Sequence, residues 1–476
     1  MEYEPVIGME VHVEIDTKSK AFCSCSTNFH APPNTQVCPI CLGMPGVLPV
    51  LNKAFVDKAI AVGLALNCSI ASWSKMDRKN YFYPDLPKNY QISQYDLPLC
   101  RDGYLDIDVN GVSKRVRILR AHLEEDTARN THDLGGGYSG IDFNRSGVPL
   151  LEIVTYPDLR SSEEVFVFLN ELKLLLEYLG VSDCNMEEGS LRAEANVSVR
   201  EKGVETLGVK TEIKNVASFS GVVKAIDYEI ERQINLIRAG EKIIQETRGW
   251  DPDRGVTFSQ RHKESAHDYR YFPEPDLVPL AVSKEWVDKI QNEMPELPQA
   301  RRRRFQEQYG LSQYDATVLT ATKEMADYYE KTVKCGADPK QSANWIQVEL
   351  QAVLTYENST IEQSPVKPEH IAELISLVKD EVISGKIAKE VLRKVFKTGR
   401  NPQEIIKEEG LVQITDEGAI RKVIREVINA NVSQVEQYRS GKTKLFGFFV
   451  GQVMQKTGGK ANPKMVNDIL KEELER

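Results

Sequence analysis

Hydrophobic periodicity changes character once along this chain, near residue 293, and that change limits the folds open to it. Before it, short runs alternate. Met9, Val11, Val13 and Ile15 interleave with Glu10, His12, Glu14 and Asp16, the pattern of a half-buried strand. Residues 104–109 and 115–120 alternate around Asn110-Gly111, which predicts a hairpin. Helical spacing is found at 52–66 behind an Asn cap, at 161–179 behind Ser-Ser-Glu-Glu, and at 220–240, where Gly240 supplies the stop. Further strands are predicted near 191–200 and 208–214, and the proline-rich stretch 270–281 closes this part. Beyond it nearly every segment reads as helix: 297–309, 323–335, 339–355, 368–379, 384–398, 418–430, 433–439, 443–457 and 463–475. The expected fold class is α+β. A mixed α/β domain with antiparallel strands occupies 1–292, an all-α domain 293–407, and a small all-α tail 408–476, with Pro402 and the loop near 410–416 marking the last boundary.

At 476 residues the chain is too long for one simple core. A net charge of −9 gives no global attraction to nucleic acid, so any such binding must use local basic patches. The first residues are acidic and alternating, unlike a signal peptide, and no apolar run has membrane-spanning length; a cytoplasmic protein without a membrane partner is expected. Four cysteines crowd together as C-x-C, twelve residues, then C-P-I-C: Cys23, Cys25, Cys38 and Cys41. Two close pairs separated by a loop are the spacing of a tetrahedral thiolate zinc site, and four thiolates leave no open position, so the role is structural. Four reduced thiols without metal are the alternative. Cys68, Cys100, Cys184 and Cys335 are scattered and read as buried small apolar residues.

Several constellations can carry chemistry, and each has a plainer counterpart. Glu10 and His12 share one face of a strand, where they can bind a divalent cation or form a solvated face. The segment 77–85, with Lys79 among aromatics, suits phosphate and base contacts or is a charged loop. His122 precedes three carboxylates, Glu124, Glu125 and Asp126, which repel one another unless cations or water intervene. Glu152 interrupts an apolar strand and, if buried, needs a partner. Ser190, Arg192, Glu194, Asn196 and Ser198 share a polar strand face, functional or merely exposed. There is no Walker A loop, no G-x-G-x-x-G, no G-x-S-x-G elbow and no paired-serine amidase stretch, hence no evident nucleophile for amide hydrolysis.

Seven segments in order, VIGMEVHVEI, DRKNYFYPDLPKNYQISQYD, HLEEDTAR, GVPLLEIV, EEGSLRAEANVSVR, TEIKNV and DYRYFPEPDLVPL, resemble the B subunits of bacterial aspartyl/glutamyl-tRNA amidotransferases, the GatCAB complexes. The stretch GFFVGQVMQKTGGKANPKMVNDIL is similar to that family's tail domain. The resemblance implies a cradle-like N-terminal domain that uses ATP and Mg²⁺ to amidate mischarged tRNA, Glu-tRNA(Gln) or Asp-tRNA(Asn), through an acyl phosphate. Ammonia would come from glutamine hydrolysed in a partner amidase A subunit, with a small C subunit completing the assembly. It implies His12, Glu125 and Glu152 as magnesium ligands, with Glu10 serving a second ion, and makes these four the catalytic set. Lys79, Ser190, Arg192, Asn196 and Ser198 become candidates around ATP. Arg301–Arg304 and Lys442, Lys444, Lys456, Lys460 and Lys464 become candidate tRNA phosphate contacts, or solvated helix faces.

Overall fold

The structure, a computed structural model, describes residues 2–131, 137–262, 266–414 and 416–475; of the side chains at 261, 262, 266 and 267 nothing is said. The chain divides into two compact units, Met1–Leu297 and Pro298–Arg476. The class is α+β: among the described residues the sheets lie in the first unit and helices make up the second.

The first unit is built on a nine-stranded sheet. Its strands are β1 (Tyr3–Glu14), β2 (Ser69–Ile70), β3 (Cys100–Val109), β4 (Val112–Glu125), β5 (Pro149–Thr155), β6 (Leu191–Glu201), β7 (Thr211–Lys214), β8 (Glu246–Asp251) and β9 (Val256–His262). They lie in the order β9-β8-β7-β6-β1-β5-β4-β3-β2, so the first strand of the chain is the central one. All neighbours are antiparallel except β7 and β8, which run parallel. The β3–β4 hairpin turns at Asn110 and Gly111, both at positive φ (54° and 80°), the backbone that a two-residue turn matching strand twist requires.

Alternation gives the sheet two different faces. Ile7, Met9, Val11 and Val13 of β1 enter an apolar core with Leu151 and Ile153 of β5 and Ala193 and Val197 of β6. Three helices supply buried residues to that core: α1 (Lys53–Ala65), α2 (Ser162–Tyr178) and α3 (Phe219–Arg238). Each starts at a side-chain cap, the first two as expected from the sequence. Asn52 accepts from Ala54 N at 2.9 Å, Ser161 from Glu164 N at 3.1 Å, and Ser218 from Gly221 N at 3.1 Å. The other face carries Glu10, His12 and Glu14. A small three-stranded sheet (Asp77–Asn80, Tyr90–Ser93 and Phe272–Pro273) brings Lys79, Gln91 and Ser93 to the same region.

The second unit holds two separate apolar cores. One runs from Phe305 to Ile406 and the other from Ile420 to Leu474. Periodicity omits three helices that the structure contains: Lys284–Glu293 in the first unit, and Gln313–Leu319 and Pro402–Glu409 in the second. All three begin at a Ser or Asn cap; Pro402 does not break the chain but opens a helix, where its missing N–H would have no partner. Strands β8 and β9 were likewise not expected. The helix expected at 339–355 contains a π-helical turn at Trp345–Leu350. Cys68, Cys100 and Cys184 are buried as expected, but Cys335 is exposed at the end of the helix Lys323–Lys334, where the apolar stripe of that helix stops. Thr415, within the expected 410–416 loop, lies outside the described residues. Among the described residues no helix is long and apolar enough to cross a membrane.

Candidate active site

Strand register assembles the polar face. Arg192 of β6, His12 of β1, Glu152 of β5 and His122 of β4 stand opposite one another in a row across four adjacent strands. His12 Nε2 lies 3.6 Å from Glu152 Oε2, and His122 Nε2 lies 3.2 Å from the same oxygen and 3.1 Å from Glu124 Oε1. Ser93 Oγ donates to Glu124 Oε1 at 2.6 Å and Gln91 Nε2 to Glu124 Oε2 at 3.1 Å. One potential ligand atom from each of His12, Glu124 and Glu152 falls within 4.8 Å of the others, and the same holds for Glu10, Glu194 and Glu212 one row along. One imidazole and several carboxylates suit a hard divalent cation.

The electrostatics keep this cluster charged despite burial. Burial alone would raise the Glu152 pKa, yet the His122 charge and the His12 and His122 hydrogen bonds hold it well below the usual carboxylate range. Glu124, also opposed by burial, is brought to about 2, chiefly by the Lys79 charge and His122. Burial lowers the His12 pKa, but Glu152 outweighs it and the imidazole pKa ends up raised. Lys79, with Nζ 5.2 Å from the Tyr269 ring centroid, stays cationic: burial works against it, and Glu124 and Tyr271 more than compensate.

The expected residues separate here. His12 and Glu152 meet, and Glu10 joins the second carboxylate group, where Asn196 Nδ2 donates to its Oε1 at 2.7 Å and Lys214 lies 2.6 Å from Glu194. Glu125 is not in either group. It points from the opposite face of β4, pairs with Lys88 and accepts from Ile92 N at 2.9 Å. The carboxylate beside His12 is Glu124. The reason is a bulge: Val154 pairs with Arg120 and Thr155 with Ile118, so the ladder skips Leu119 and inverts the parity of the residues beyond it. Counting by twos from the buried Val116 and Ile118 would turn Glu125, the residue that the resemblance implies, toward the polar face; beyond the bulge Glu124 occupies that face. Counting back from Leu123 and Ala121 gives Glu124, a signal the sequence does contain. Glu194, Glu212 and His122 were also missed as members of the site; each falls on the polar parity of its strand.

Among the nucleotide candidates, Lys79 adjoins the cluster. Arg192 ends the row, 3.0 Å from Asp126 Oδ1, and stays partly open to solvent. Ser190 instead donates to Asp183 and accepts from Asn185 N at 2.8 Å, and Ser198 donates to Val6 O at 3.3 Å. Both hold backbone in place. In the second unit, Arg301 is buried against Asp327 and Glu330, each at 2.5 Å, and Arg304 lies 2.7 Å from Glu330. In the tail, Lys442 donates to Gln437 Oε1 at 3.0 Å, Lys456 lies 2.6 Å from Glu426, and Lys460 donates to Gly410 O at 2.7 Å.

At the end of β1, Glu14 meets Arg145 and Asp126. Burial first, and then the Asp126 charge, push its carboxyl up to about 8, against Arg145. An unfolded Glu loses its proton near 4.5. Between those values the folded chain holds a proton that the unfolded chain has released, so stability falls as pH rises across that window. Glu14→Gln is expected to flatten this decline. Urea midpoints at about pH 5 and about pH 8 test it; an unchanged slope in the variant would show that Glu14 is ionised throughout.

The four cysteine sulfurs converge, all within 4.8 Å of one another, with Cys38 and Cys41 Sγ 3.9 Å apart. A tetrahedron with zinc–sulfur bonds of about 2.3 Å has edges of roughly 3.8 Å, so this donor set fits a zinc ion. Cys38 N donates to Cys41 Sγ at 3.2 Å, and the fully buried Lys20 points Nζ at the same sulfur from 3.7 Å. A hydrogen bond from Cys23, helped by these two donors, draws the Cys41 thiol down to about 4, while burial pushes Cys25 up to about 11.

Comparison with known proteins identifies the family. The profile described as the GatB/GatE catalytic domain matches residues 5–288, and that described as the GatB domain matches 327–474. The B subunit of the aspartyl/glutamyl-tRNA(Asn/Gln) amidotransferase of Thermodesulfovibrio yellowstonii is 56% identical over 470 residues, 99% of each chain. The protein of the same name from Carboxydothermus hydrogenoformans is 55% identical over 476 residues, 99% of each chain, and that of Caldicellulosiruptor saccharolyticus 55% over 479, all of both chains. Matched along its whole length at more than half identity, the chain belongs to the family of B subunits of aspartyl/glutamyl-tRNA(Asn/Gln) amidotransferases.

Proposed function

We propose that this chain is the ATP-dependent subunit of a ligase that amidates Glu-tRNA(Gln), Asp-tRNA(Asn) or both, working in the cytoplasm with an amidase A subunit and a small C subunit. A free carboxylate is a poor electrophile because its oxygen is a poor leaving group. Transfer of the terminal phosphoryl group of ATP makes it an acyl phosphate; ammonia then displaces phosphate and leaves the amide. The observation that carries this reading is the cluster of half-buried His12 with the buried, ionised Glu124 and Glu152 on the central strands. A surface made only to dock a polyanion has no use for buried carboxylates.

His12, Glu124 and Glu152 would hold Mg²⁺, and Glu10, Glu194 and Glu212 a second cation. A bound magnesium offsets charge on the transferring phosphoryl group. Lys79, beside Glu124, and Arg192, at the end of the row, would bind ATP phosphates; Asn196 orients Glu10, and Ser190 and Ser198 keep β6 in register. Zinc in the cysteine cluster would anchor the loop after β1. The helical domain 293–407 and tail 408–476 would bear the tRNA, with tail lysines meeting phosphates.

The test is reconstitution with A and C subunits, Glu-tRNA(Gln), ATP and Mg²⁺. Amidation is expected with either glutamine or ammonium, and with ammonium it should need ATP and this chain but not an active amidase. Absence of amide product with ammonium and ATP would overturn the reading. Deleting 408–476 should weaken tRNA binding while ATP binding persists; unchanged tRNA affinity would remove the tail from the tRNA site.

A further inference from the structure

His122 is fully enclosed and stands outside the proposed cation ligands, yet it touches two of them. Its Nε2 is 3.1 Å from Glu124 Oε1 and 3.2 Å from Glu152 Oε2. A ring nitrogen facing two carboxylate oxygens must carry hydrogen, because a lone pair there would repel both. The other nitrogen, Nδ1, is buried with no hydrogen-bond partner among the described residues. A metal-ligating histidine ordinarily gives its second N–H to a partner. His122 has none, and the nitrogen that faces the cluster is occupied as a donor. It is built to hold carboxylates rather than to ligate a cation.

We propose that His122 is a positioning residue: through one shared N–H it fixes Glu124 and Glu152 relative to each other, so that the pair meets a divalent cation preformed. This rests on the cation reading above. Two buried carboxylates repel and would swing apart before an ion arrives. Glu124 is also held by Ser93, which donates to the same oxygen Oε1, and by Gln91 at Oε2, but neither reaches Glu152, which has His12 only at 3.6 Å. Among the described residues His122 is the hydrogen-bonding group within reach of both. Its backbone is equally constrained, two residues before Glu124 on β4 and directly across the ladder from Glu152. Outer-shell partners of this kind orient first-shell ligands and tune affinity.

Binding of Mn²⁺ to the assembled complex, followed by electron paramagnetic resonance, reads this without turnover. His122→Leu should weaken Mn²⁺ binding by about 10–100-fold and raise the Mg²⁺ concentration for half-maximal amidation by a similar factor. kcat at saturating Mg²⁺ should change less. His122→Gln, whose amide nitrogen reaches the place of Nε2, should regain most of the affinity. If His122→Leu fails to fold, His122→Asn, whose amide stops short of both carboxylates, takes its place and should bind more weakly than His122→Gln. Equal Mn²⁺ affinity in wild type and the folded Leu variant, or in the Asn and Gln variants, overturns the positioning role. Wild type that binds no Mn²⁺, or binds it unchanged after Glu124→Gln, overturns the cation reading and with it this proposal.

Discussion

Glu152→Gln is expected to lower amidation by about 10²–10³-fold, the scale for losing one preorganised electrostatic contact in a buried site. The loss should be the same with glutamine and with ammonium, because the proposed defect lies in carboxylate activation rather than in nitrogen supply. Gln keeps the size of Glu152 but brings a neutral amide to the point where His12 and His122 converge, 3.6 and 3.2 Å from the carboxylate oxygen. The informative control is Glu125→Gln. That residue faces away from the row and pairs with Lys88 inside the protein. Removing one partner of a buried pair costs about 3–5 kcal/mol, so this variant should unfold earlier while its Mn²⁺ affinity is retained. Steady-state rates with both donors, set beside thermal melts, separate the two. Wild-type amidation by Glu152→Gln with ammonium would remove Glu152 from the site.

The second large effect concerns the cysteines. Cys38→Ser is expected to reduce bound zinc from about one per chain, the content of a closed four-thiolate site, to nearly none. The first unit should lose stability to match. An ion present at a thousand times its dissociation constant stabilises the fold that binds it by about 4 kcal/mol. Elemental analysis of protein purified without chelator gives the first quantity, and denaturant unfolding of the first unit gives the second. Because Lys20 N donates to Cys25 O at 2.9 Å and Ala21 N to Gly147 O at 2.8 Å, the loop is tied to the chain leaving β1, so amidation should decline after stability does. Wild-type protein that carries no zinc from a zinc-sufficient culture would leave four reduced thiols as the answer.

Much of the N-terminal architecture could be read in advance, since its cues are local. Asn52 and Ser161 cap helices where side-chain chemistry demands them, and the cap of the third, Ser218, stands two residues before its expected start. Asn110-Gly111 turns a hairpin, and β1 alternates without a break. Strand β8 escaped because it joins the sheet by a parallel pairing to β7, more than thirty residues away in the chain, whereas the turn from Pro252 to Gly255 that pairs β8 with β9, with Gly255 at φ 63°, is a local cue that alternation alone passes over. The short helices at 313–319 and 402–409 have too few turns for periodicity to register, and only their caps betray them. Arg301 to Arg304 read as an exposed basic run, but Arg301 is turned inward against Asp327 and Glu330.

Composition, spacing and motif order were enough to establish the fold class, the cysteine quartet and the family, because each depends on residues close together or on their order along the chain. Which carboxylate joins His12 was decided elsewhere. Residues 12, 124 and 152 meet only through ladder pairings across three strands, and one skipped residue at Leu119 determines whether Glu124 or Glu125 faces them. Their charge states likewise arise from burial among neighbours that are distant in sequence. The place of the bulge and the burial of these groups are long-range properties, set by hydrogen bonds between strands; the local alternation of Ala121 and Leu123 points to Glu124 only once the skip at Leu119 is known.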